Sequence, residues 1–391
     1  MRLSPEGQFI TSILGSSLEP KNSSVVGNSR PPMDHHINWG EFIPLVNHHG
    51  VGGLLFYWIR ELGLDNSLPP DVFTDLKDIH ESSSTIWEDH LQVFKKILMR
   101  FFEKGIEIIF LKGAQLAHTD YPHFSLRPIA DIDLLIRRSD RSEIIRLMLE
   151  MGFSLYETNQ TCDKFFLKKT SKGEKKEVHI PIFIEVHSSL QTPIRLNKSF
   201  RIDMDEFWSG TEEKIVLGFS FLQLRPTYNL IYLGAHLSHH HFSRLIWVYD
   251  IALLIHRHRE EIDWEKLGGI CGRMKIRSPL FHSLTLCRDF FQTPIPEKVL
   301  KGLTSSWGRR KMGQFLIRRN LWPPGKSRMS RFGQFLIKTF IVDSWMEAIL
   351  WFLFPTRDWM KRTYSLQNTH KIYPYYLLHP VLHLIKSIKP R

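Results

Sequence analysis

Two aspartates separated by one residue, Asp131 and Asp133, lie inside an apolar run that reads IADIDLLI at residues 129–136. Such a run is typical of a buried strand, in which residues i and i+2 point to the same face. Two carboxylates that close repel each other unless a positive charge lies between them. The pair is therefore a candidate site for one or two divalent cations, because Mg²⁺ prefers oxygen ligands.

A third carboxylate is available in a second apolar run. Glu185 is the single acid in IFIEVH at residues 182–187, where an unpartnered charge would cost several kcal/mol. We therefore interpret Glu185 as a candidate third metal ligand on a neighbouring strand. The alternative is a structural pair with a buried Arg or Lys, and a lone Asp-x-Asp can also be structural.

A candidate phosphate site precedes the aspartates. The apolar strand predicted at residues 106–111 is followed by Lys112, Gly113 and Ala114 and then by a short helix. Gly113 lets the backbone approach a ligand, the first N–H groups of the helix favour an anion, and Lys112 adds a point charge for a triphosphate. A phosphate cradle beside metal carboxylates is the arrangement that phosphoryl or nucleotidyl transfer requires.

Several other residues are weaker candidates. Arg127 either reaches a phosphate, pairs bidentately with Asp131 or forms a structural ion pair. His187 shares a strand face with Glu185, so it either orients that carboxylate, contacts substrate or is structural. The run HLSHHH at residues 236–241 places two histidines on one helical face, but without HExxH or a nearby cysteine a metal site there is not favoured. Arg244 and Asp250 are candidates for the substrate side of a cleft.

The elements that position these residues follow from hydrophobic periodicity. Residues 105–215 alternate strand, helix, strand, helix and three strands, the last two forming a hairpin, and Ser139 is the expected N-cap of the second helix. Helices are expected at residues 37–104, again from Phe221 in a region spanning residues 216–300, and in a basic aromatic tail at 301–391. Residues 1–36 are expected to be flexible with one short helix. The predicted fold class is α+β, with a small mixed sheet between helical regions.

Composition bounds the classes of partner and compartment. The chain has 391 residues and a formal net charge of +12, which favours anionic partners such as nucleotides, nucleic acid or acidic lipid. Aromatic and basic residues in the tail make nucleic acid a possible partner, although a core of aromatics with solvated charges is commoner. The apolar run at residues 345–354 is too short to span a membrane, which takes roughly 20 residues.

Cysteine use and the start of the chain predict a cytoplasmic protein. Cys162, Cys271 and Cys287 are odd in number and widely spaced, which predicts a reducing compartment without structural disulfides. The first residues lack the pattern of a signal peptide.

The segment LKGAQLAHTDYPHFSLRPIADIDLLI at residues 111–136 resembles the core motif of a bacterial "uncharacterised nucleotidyltransferase" family in the DNA polymerase β-like nucleotidyltransferase superfamily. HHGVGGLLFYWIREL, IEVHSSL and HLSHHHFSRLIWVYDIALLI resemble its flanking parts, and the resemblance runs over roughly residues 38–385. It implies a polymerase β-like core and Mg²⁺ or Mn²⁺ on Asp131, Asp133 and Glu185. It also implies that Lys112 and Gly113 contact the phosphates of an NTP.

One departure from the superfamily pattern concerns the phosphate site. Lys112-Gly113-Ala114 stands where members usually carry a Gly-Ser pair, so the serine that normally contacts phosphate is missing. Phosphate binding would then depend on the backbone and on Lys112.

The resemblance implies transfer of a nucleoside monophosphate from an NTP to a hydroxyl or phosphate, with Glu185 as a candidate acceptor of the proton. The acceptor is either a small molecule, saccharide or peptide precursor, or RNA or protein as in toxin-like relatives. A non-catalytic nucleotide-binding or scaffold protein is the alternative from another class. The sequence does not name the NTP, the pathway or the oligomeric state.

Overall fold

The computed structural model describes residues 3–18, 37–158, 162–172, 177–190, 202–216, 218–303, 307–322 and 331–344. Shorter pieces are described at residues 346, 353, 360–361, 364–366, 373–379 and 382. The predicted link at residues 19–36, the hairpin turn at 173–176 and most of the apolar run at 345–354 lie outside these residues. Among the helices within them, none combines the length and apolar composition that crossing a membrane requires.

Helices flank a group of strands in the order of the chain. The first helices are α1 (Pro5–Ser16), α2 (Trp39–His49), α3 (Gly52–Glu61) and α4 (Pro70–Glu103). The middle of the chain contains β1 (Ile108–Leu111), α5 (Lys112–Thr119), β2 (Ile132–Ile136), α6 (Arg141–Glu150), β3 (Ser154–Thr158), β4 (Cys162–Lys172), β5 (Glu177–His187), α7 (Met204–Ser209), β6 (Thr211–Val216) and β7 (Phe219–Leu224). The later helices are α8 (Pro226–His239), α9 (Leu245–His258), α10 (Trp264–Met274), α11 (Arg277–Phe291), α12 (Glu297–Leu303), α13 (Trp307–Leu321) and α14 (Arg331–Ile341).

The strands form one seven-stranded mixed sheet in the order β3-β4-β5-β2-β1-β7-β6. The pairs β2–β5 and β1–β7 are parallel, and the other neighbours are antiparallel. The expected hairpin of β4 and β5 is confirmed, with Lys164 opposite Glu185. The structure therefore confirms a mixed sheet between helical regions.

One face of the sheet is covered by α4 and α6. Because strand side chains alternate between the two faces, Ile132, Leu134 and Ile136 of β2 point to this side, together with alternate residues of β1 and β5. The apolar stripe of α4 supplies the packing partners, among them Phe94, Ile97, Leu98 and Phe101. Gly105 follows the end of that helix with a φ of 64°, a left-handed conformation that costs glycine little.

The opposite face is shared between apolar and polar residues. Leu111 and Leu135 pack into a second core formed with α1–α3 and the later helices, in particular α8, α9 and α11. Farther along the same face, β2, β5 and β4 present charged side chains instead. The sheet thus meets the later helices along one half of this face and leaves a polar half beside them.

Two sequence expectations need correction. Helices were expected from Phe221 onward, but that residue lies in β7, which pairs with β1. The sheet therefore includes residues beyond the predicted boundary at residue 215. The alternation of apolar and polar residues in β7 is too short to be distinguished from the apolar start of the helix that follows. Ser139 is also not the N-cap of α6, because residues 138–140 form a 3₁₀ turn and Asp140 takes the cap position.

An ion pair joins the end of α5 to the end of α9. His258 Nε2 lies 2.8 Å from Oδ1 of the buried Asp120, and His258 Nδ1 lies 2.7 Å from Glu261 Oε1. The hydrogen bond to Asp120, and then the one to Glu261, raise the pKa of His258 from 6.5 to about 9 despite partial burial. The positive charge also suits the C-terminal end of a helix.

This contact predicts a pH dependence of stability. Because the pKa of His258 is raised on folding, the stabilisation is complete below its ordinary value of 6.5 and is lost as the pH rises through about 9. We expect the free energy of unfolding to fall by about 1–2 kcal/mol over that interval, after allowance for partial solvent exposure. Urea unfolding at closely spaced pH values measures this, and an equal fall in His258→Gln would contradict the assignment.

Candidate active site

Three adjacent strands each place two polar residues on one face of the sheet. β4 contributes Cys162 and Lys164, and β5 contributes Glu185 and His187. Asp133 of β2 lies directly opposite Glu185 in the parallel register, and Asp131 immediately precedes that strand. The two-residue spacing in each segment brings all these side chains to the polar half of the face.

The three predicted carboxylates come together. One oxygen from each of Asp131, Asp133 and Glu185 lies within 4.8 Å of the others. Asp133 is buried, whereas Asp131 and Glu185 are half-buried and face outward from the sheet. Carboxylate oxygens at this separation can ligate one divalent cation, and such oxygens are the donors that Mg²⁺ and Mn²⁺ accept.

Two cationic groups contact the carboxylate that is buried deepest. Lys112 Nζ lies 2.6 Å from Asp133 Oδ1, and His187 Nε2 lies 3.0 Å from the same oxygen. Burial opposes ionisation of Asp133, but these contacts outweigh it and hold the pKa of that carboxyl far below its usual range. Burial likewise opposes the charge on Lys112, and the attraction of Asp133 raises the lysine pKa above its ordinary value.

Glu185 has its own cationic partners, as in the alternative of a pair with a lysine, although Lys164 was not named as that lysine. Lys164 Nζ lies 2.8 Å from Glu185 Oε1, and His187 Nε2 lies 3.5 Å from Oε2. Burial opposes ionisation, but the hydrogen bonds from His187 and Lys164 lower the pKa of Glu185 to about 2. The register of the predicted hairpin would have identified this partner, because it places Lys164 directly opposite Glu185 on the paired strand.

Asp131 differs from the other two carboxylates. Burial, and then the negative charge of Asp133, raise the pKa of Asp131 to about 6, with Lys112 acting in the opposite direction. The cluster therefore contains more negative charge than its neighbouring cations balance at Asp131. A divalent cation would relieve that repulsion most directly at this residue.

The junction of β1 and α5 has an unusual backbone. Lys112 adopts a left-handed conformation with a φ of 56°, immediately after the extended Leu111. An L-residue in this region costs roughly 1–2 kcal/mol, and the ion pair with Asp133 offsets that strain. Leu111 is also the β1 residue opposite Asp133. The chain reversal thus directs Lys112 back over the neighbouring strand to the carboxylates.

The structure assigns Gly113 and Arg127 a shared role. A Cβ atom on Gly113 would lie 3.0 Å from the guanidinium carbon of Arg127, so a larger residue would clash with it. Arg127 is buried, and its Nε and Nη2 donate to Asp250 at 2.8–3.1 Å. Tyr121 donates to the same carboxylate at 2.8 Å. Arg127 thus supports the start of α5 from below.

Of the alternatives for Arg127, the structure shows the structural ion pair, and its partner is Asp250. The bidentate pair predicted for Arg127 forms with Asp250 and not with Asp131, because the loop before β2 turns the guanidinium under α5 and onto α9. Asp250 is equally buried, so it faces this pair and not the cleft. Ala114 is buried against α4 and β2 in the core beneath the site, so only its backbone is available to a ligand.

Residues at the C-terminal half of α8 lie within the electrostatic field of the charged cluster. Tyr232 and His236 of α8 and His240, directly after the last residue of that helix, follow one another at four-residue spacing. Burial is the main cause that lowers the pKa of His236 and of His240, and the positive charge of Lys112 lowers both further. Burial likewise raises the pKa of Tyr232, against the effect of Lys112.

The histidines of α8 pack on an aromatic residue of α9. The ring centroids of His236 and His240 lie 5.5 and 4.7 Å from that of Trp247, and Arg244 lies over the same indole at 5.6 Å. These contacts explain the histidine run as an aromatic wall beside the cluster. The charge of Lys112 acts on the histidines of this wall, and the charge of Asp133 also acts on His240.

The chain matches the family described as "Uncharacterised nucleotidyltransferase" over residues 35–292. This protein belongs to that nucleotidyltransferase family. The match contains all of α2–α11 and the entire sheet, so membership includes both the cluster and the wall. It ends at residue 292 and does not cover the similarity expected for residues 293–385. No curated protein and no solved structure was similar enough to match the chain.

Membership in this family supports a transferase role for the chain, with an NTP as substrate. The donor set fits the divalent cation that such transfer uses, because its carboxylate oxygens lie within ligating distance of one another. The match over residues 35–292 confirms the family resemblance predicted from residues 111–136.

The buried pair of Arg127 and Asp250 predicts a stability defect in a conservative variant. Arg127→Lys keeps the positive charge but loses the fork of donors, which leaves part of Asp250 unsatisfied. We expect the free energy of unfolding to fall by about 2–3 kcal/mol, measured by denaturant titration. The exposed Arg146→Lys on α6 is the matched control and should change little. A stable Arg127→Lys protein would contradict the supporting role.

Proposed function

We propose that this protein is a metal-dependent nucleotidyltransferase that moves a nucleoside monophosphate from an NTP to a hydroxyl or phosphate acceptor. The observation that carries the proposal is the meeting of Asp131, Asp133 and Glu185 on one sheet face, within 4.8 Å, beside Lys112. The family supports the same class of reaction. A scaffold without activity would not need three carboxylates kept so close against their mutual repulsion.

We further propose that β1, α5, β2 and β5 form a polymerase β-like core. In support, a strand and a short helix lead to a second strand that begins beside the aspartate pair, and the parallel neighbour supplies the third carboxylate. The helices that follow the sheet then form the wall of the substrate cleft, with Trp247 and the histidines of α8 on that side.

Asp131, Asp133 and Glu185 would hold Mg²⁺ or Mn²⁺ in this proposal. When bound, such an ion lowers the charge on the triphosphate and activates an attacking oxygen. Lys112 then exchanges its contact with Asp133 for a phosphate oxygen, since a lysine is a mobile point charge on a flexible stem. His187 stays between Asp133 and Glu185 and keeps both carboxylates in orientation.

The proposed reaction is an in-line displacement. An oxygen of the acceptor forms a bond to the α-phosphorus, the bond from that phosphorus to the bridging oxygen of the β-phosphate breaks, and pyrophosphate leaves. A hydroxyl acceptor also loses its proton, which passes to solvent water. Glu185 is a weak base because its pKa is about 2, so we assign it to metal binding and not to acceptance of this proton.

The acceptor is proposed to be a small molecule, a saccharide or a peptide precursor. The α8 wall and Trp247 offer aromatic surface beside the cluster, which suits a planar or sugar group as well as a base. Transfer to RNA or to a protein is distinguished by the size of the labelled product in the experiment below.

Loss of the buried aspartate should abolish transfer. With each of the four α-labelled NTPs, Mg²⁺ or Mn²⁺ and a cell lysate, we expect the wild-type protein to label an acceptor. Asp133→Asn and Asp131→Asn should lower the rate by at least about 100-fold. Gel electrophoresis separates labelled RNA or protein from small products. The exposed Asp75→Asn on α4 is the control for charge loss and should retain activity.

The outcome that would overturn the proposal is equal labelling by the wild type and by Asp133→Asn. Absence of NTP binding, with no effect of metal on the wild type, would also overturn it and favour a scaffold. Circular dichroism of each variant establishes that a lost activity reflects the site and not unfolding.

Lys112 should affect metal and nucleotide binding in opposite directions. Lys112→Met removes the cation that contacts Asp133, so we expect Mn²⁺ alone to bind at least as tightly as in the wild type. The variant also lacks the proposed phosphate contact, so ATP with Mn²⁺ should bind roughly tenfold more weakly, about 1.4 kcal/mol. Titration calorimetry measures both. The exposed Lys96→Met on α4 is the control, and weaker binding of both ligands would contradict this role for Lys112.

A further inference from the structure

A second set of metal-binding side chains shares one member with the carboxylate cluster. One donor atom from each of Cys162, Glu185 and His187 lies within 4.8 Å of the others. Cys162 lies directly opposite His187 in the β4–β5 register, and Glu185 is two residues before His187 on the same strand face. The set is therefore fixed by the backbone pairing of two strands and not by a flexible loop.

The chemistry of this set differs from that of the aspartates. It combines a thiol, an imidazole and a carboxylate, and these are the donor types that zinc binds in proteins. Mg²⁺ does not take a thiolate ligand, so hard and soft cations would choose different parts of this face. Three protein donors leave a fourth tetrahedral position for water.

The side chains around the set are compatible with a dication. Lys164 contacts Glu185 through Oε1, which leaves Oε2 on the side of His187 at 3.5 Å. Asp133 contacts His187 Nε2 at 3.0 Å and adds negative charge beside the imidazole. Carboxylate contacts of this kind orient histidines in metal sites. Cys162 is buried, forms no disulfide and hydrogen-bonds with His187.

We propose that Cys162, His187 and Glu185 form a zinc-binding site that is exclusive with the divalent site of the carboxylate cluster. Zn²⁺ binding releases two protons to solvent, one from the thiol of Cys162 and one from the imidazolium of His187, and the thiolate, one imidazole nitrogen and one carboxylate oxygen become ligands. Glu185 cannot serve both ions in the same way, and His187 exchanges its contact with Glu185 for the zinc ion while Asp133 still orients its ring. Zinc therefore inhibits the enzyme by withdrawing these residues.

The inhibitory consequence rests on the proposed transferase function, whereas zinc binding does not. The two are separated by a readout that needs no turnover. Co²⁺ is a spectroscopic substitute for Zn²⁺, and a thiolate ligand gives it a ligand-to-metal charge-transfer band. The full-length protein is titrated with Co²⁺, and Zn²⁺ is then added to displace it.

We expect one Co²⁺ per chain with a thiolate charge-transfer band that Zn²⁺ abolishes. Cys162→Ser should lose the band, and Zn²⁺ should bind to it at least about tenfold more weakly. Cys271→Ala, which removes a buried thiol from α10, is the matched control and should keep the band. Asp131→Asn should also keep it, because Asp131 belongs only to the carboxylate cluster. Circular dichroism of Cys162→Ser, together with a second variant Cys162→Ala, excludes unfolding as the cause.

Two results would overturn the site. One is the absence of a thiolate band in the wild type, and the other is a band that persists in both Cys162 variants. Where the band is present but Zn²⁺ does not compete with Mn²⁺ in calorimetry, the exclusive arrangement is wrong. The absence of transferase activity in the wild type would leave the Co²⁺ titration unaffected, so it would overturn only the proposed function.

Discussion

The structure depends on one electrostatic constraint, which is the concentration of three carboxylates on one face of a sheet. Asp131, Asp133 and Glu185 lie within 4.8 Å of one another on elements that are otherwise apolar. Water is largely excluded from Asp133, so its charge requires direct partners. Lys112 and His187 provide them, and Lys164 does the same for Glu185. The cluster is thus held ionised at two of its members.

This constraint reaches into the backbone. Lys112 can contact Asp133 because it adopts a left-handed conformation between β1 and α5. That tight start of α5 in turn favours a residue without Cβ at position 113, since a Cβ atom there would lie 3.0 Å from the guanidinium carbon of Arg127. Arg127 is fixed by Asp250 of α9. A buried ion pair on the helical side therefore supports the lysine that balances the carboxylates.

Much of this arrangement could be predicted from the sequence, but the partners of the residues could not. The spacing of Asp131 and Asp133 predicted that they share one face, and the isolation of Glu185 in an apolar run made it the candidate third acid. The two-residue period of strands makes that inference reliable. Arg127 shows the limit, because four residues of separation from Asp131 suggested a local pair and the actual partner is 123 residues away. Local spacing carries no information about which helix will cover a loop.

The missed strands have a different cause. β7 is only six residues long and follows a short turn, so its alternation is hard to separate from the apolar start of α8. Its place in the sheet depends on parallel pairing with β1, which is far away in the sequence. Lys164 was not named for a similar reason, since a lysine in a predicted hairpin is ordinarily solvated. Only the cross-strand register opposite Glu185 gives it a role.

The position of the cluster at the border between two hydrophobic cores explains why the sheet alone does not complete the site. The residues of β2 alternate between a core with α4 and α6 and a face toward α8 and α9, and the aspartates belong to the second side. Tyr232 and His236 of α8 lie within the field of Lys112 on that side. Removal of the later helices would expose Asp133 and Lys112 to water and weaken the attraction between them. The family match spans the sheet together with these helices.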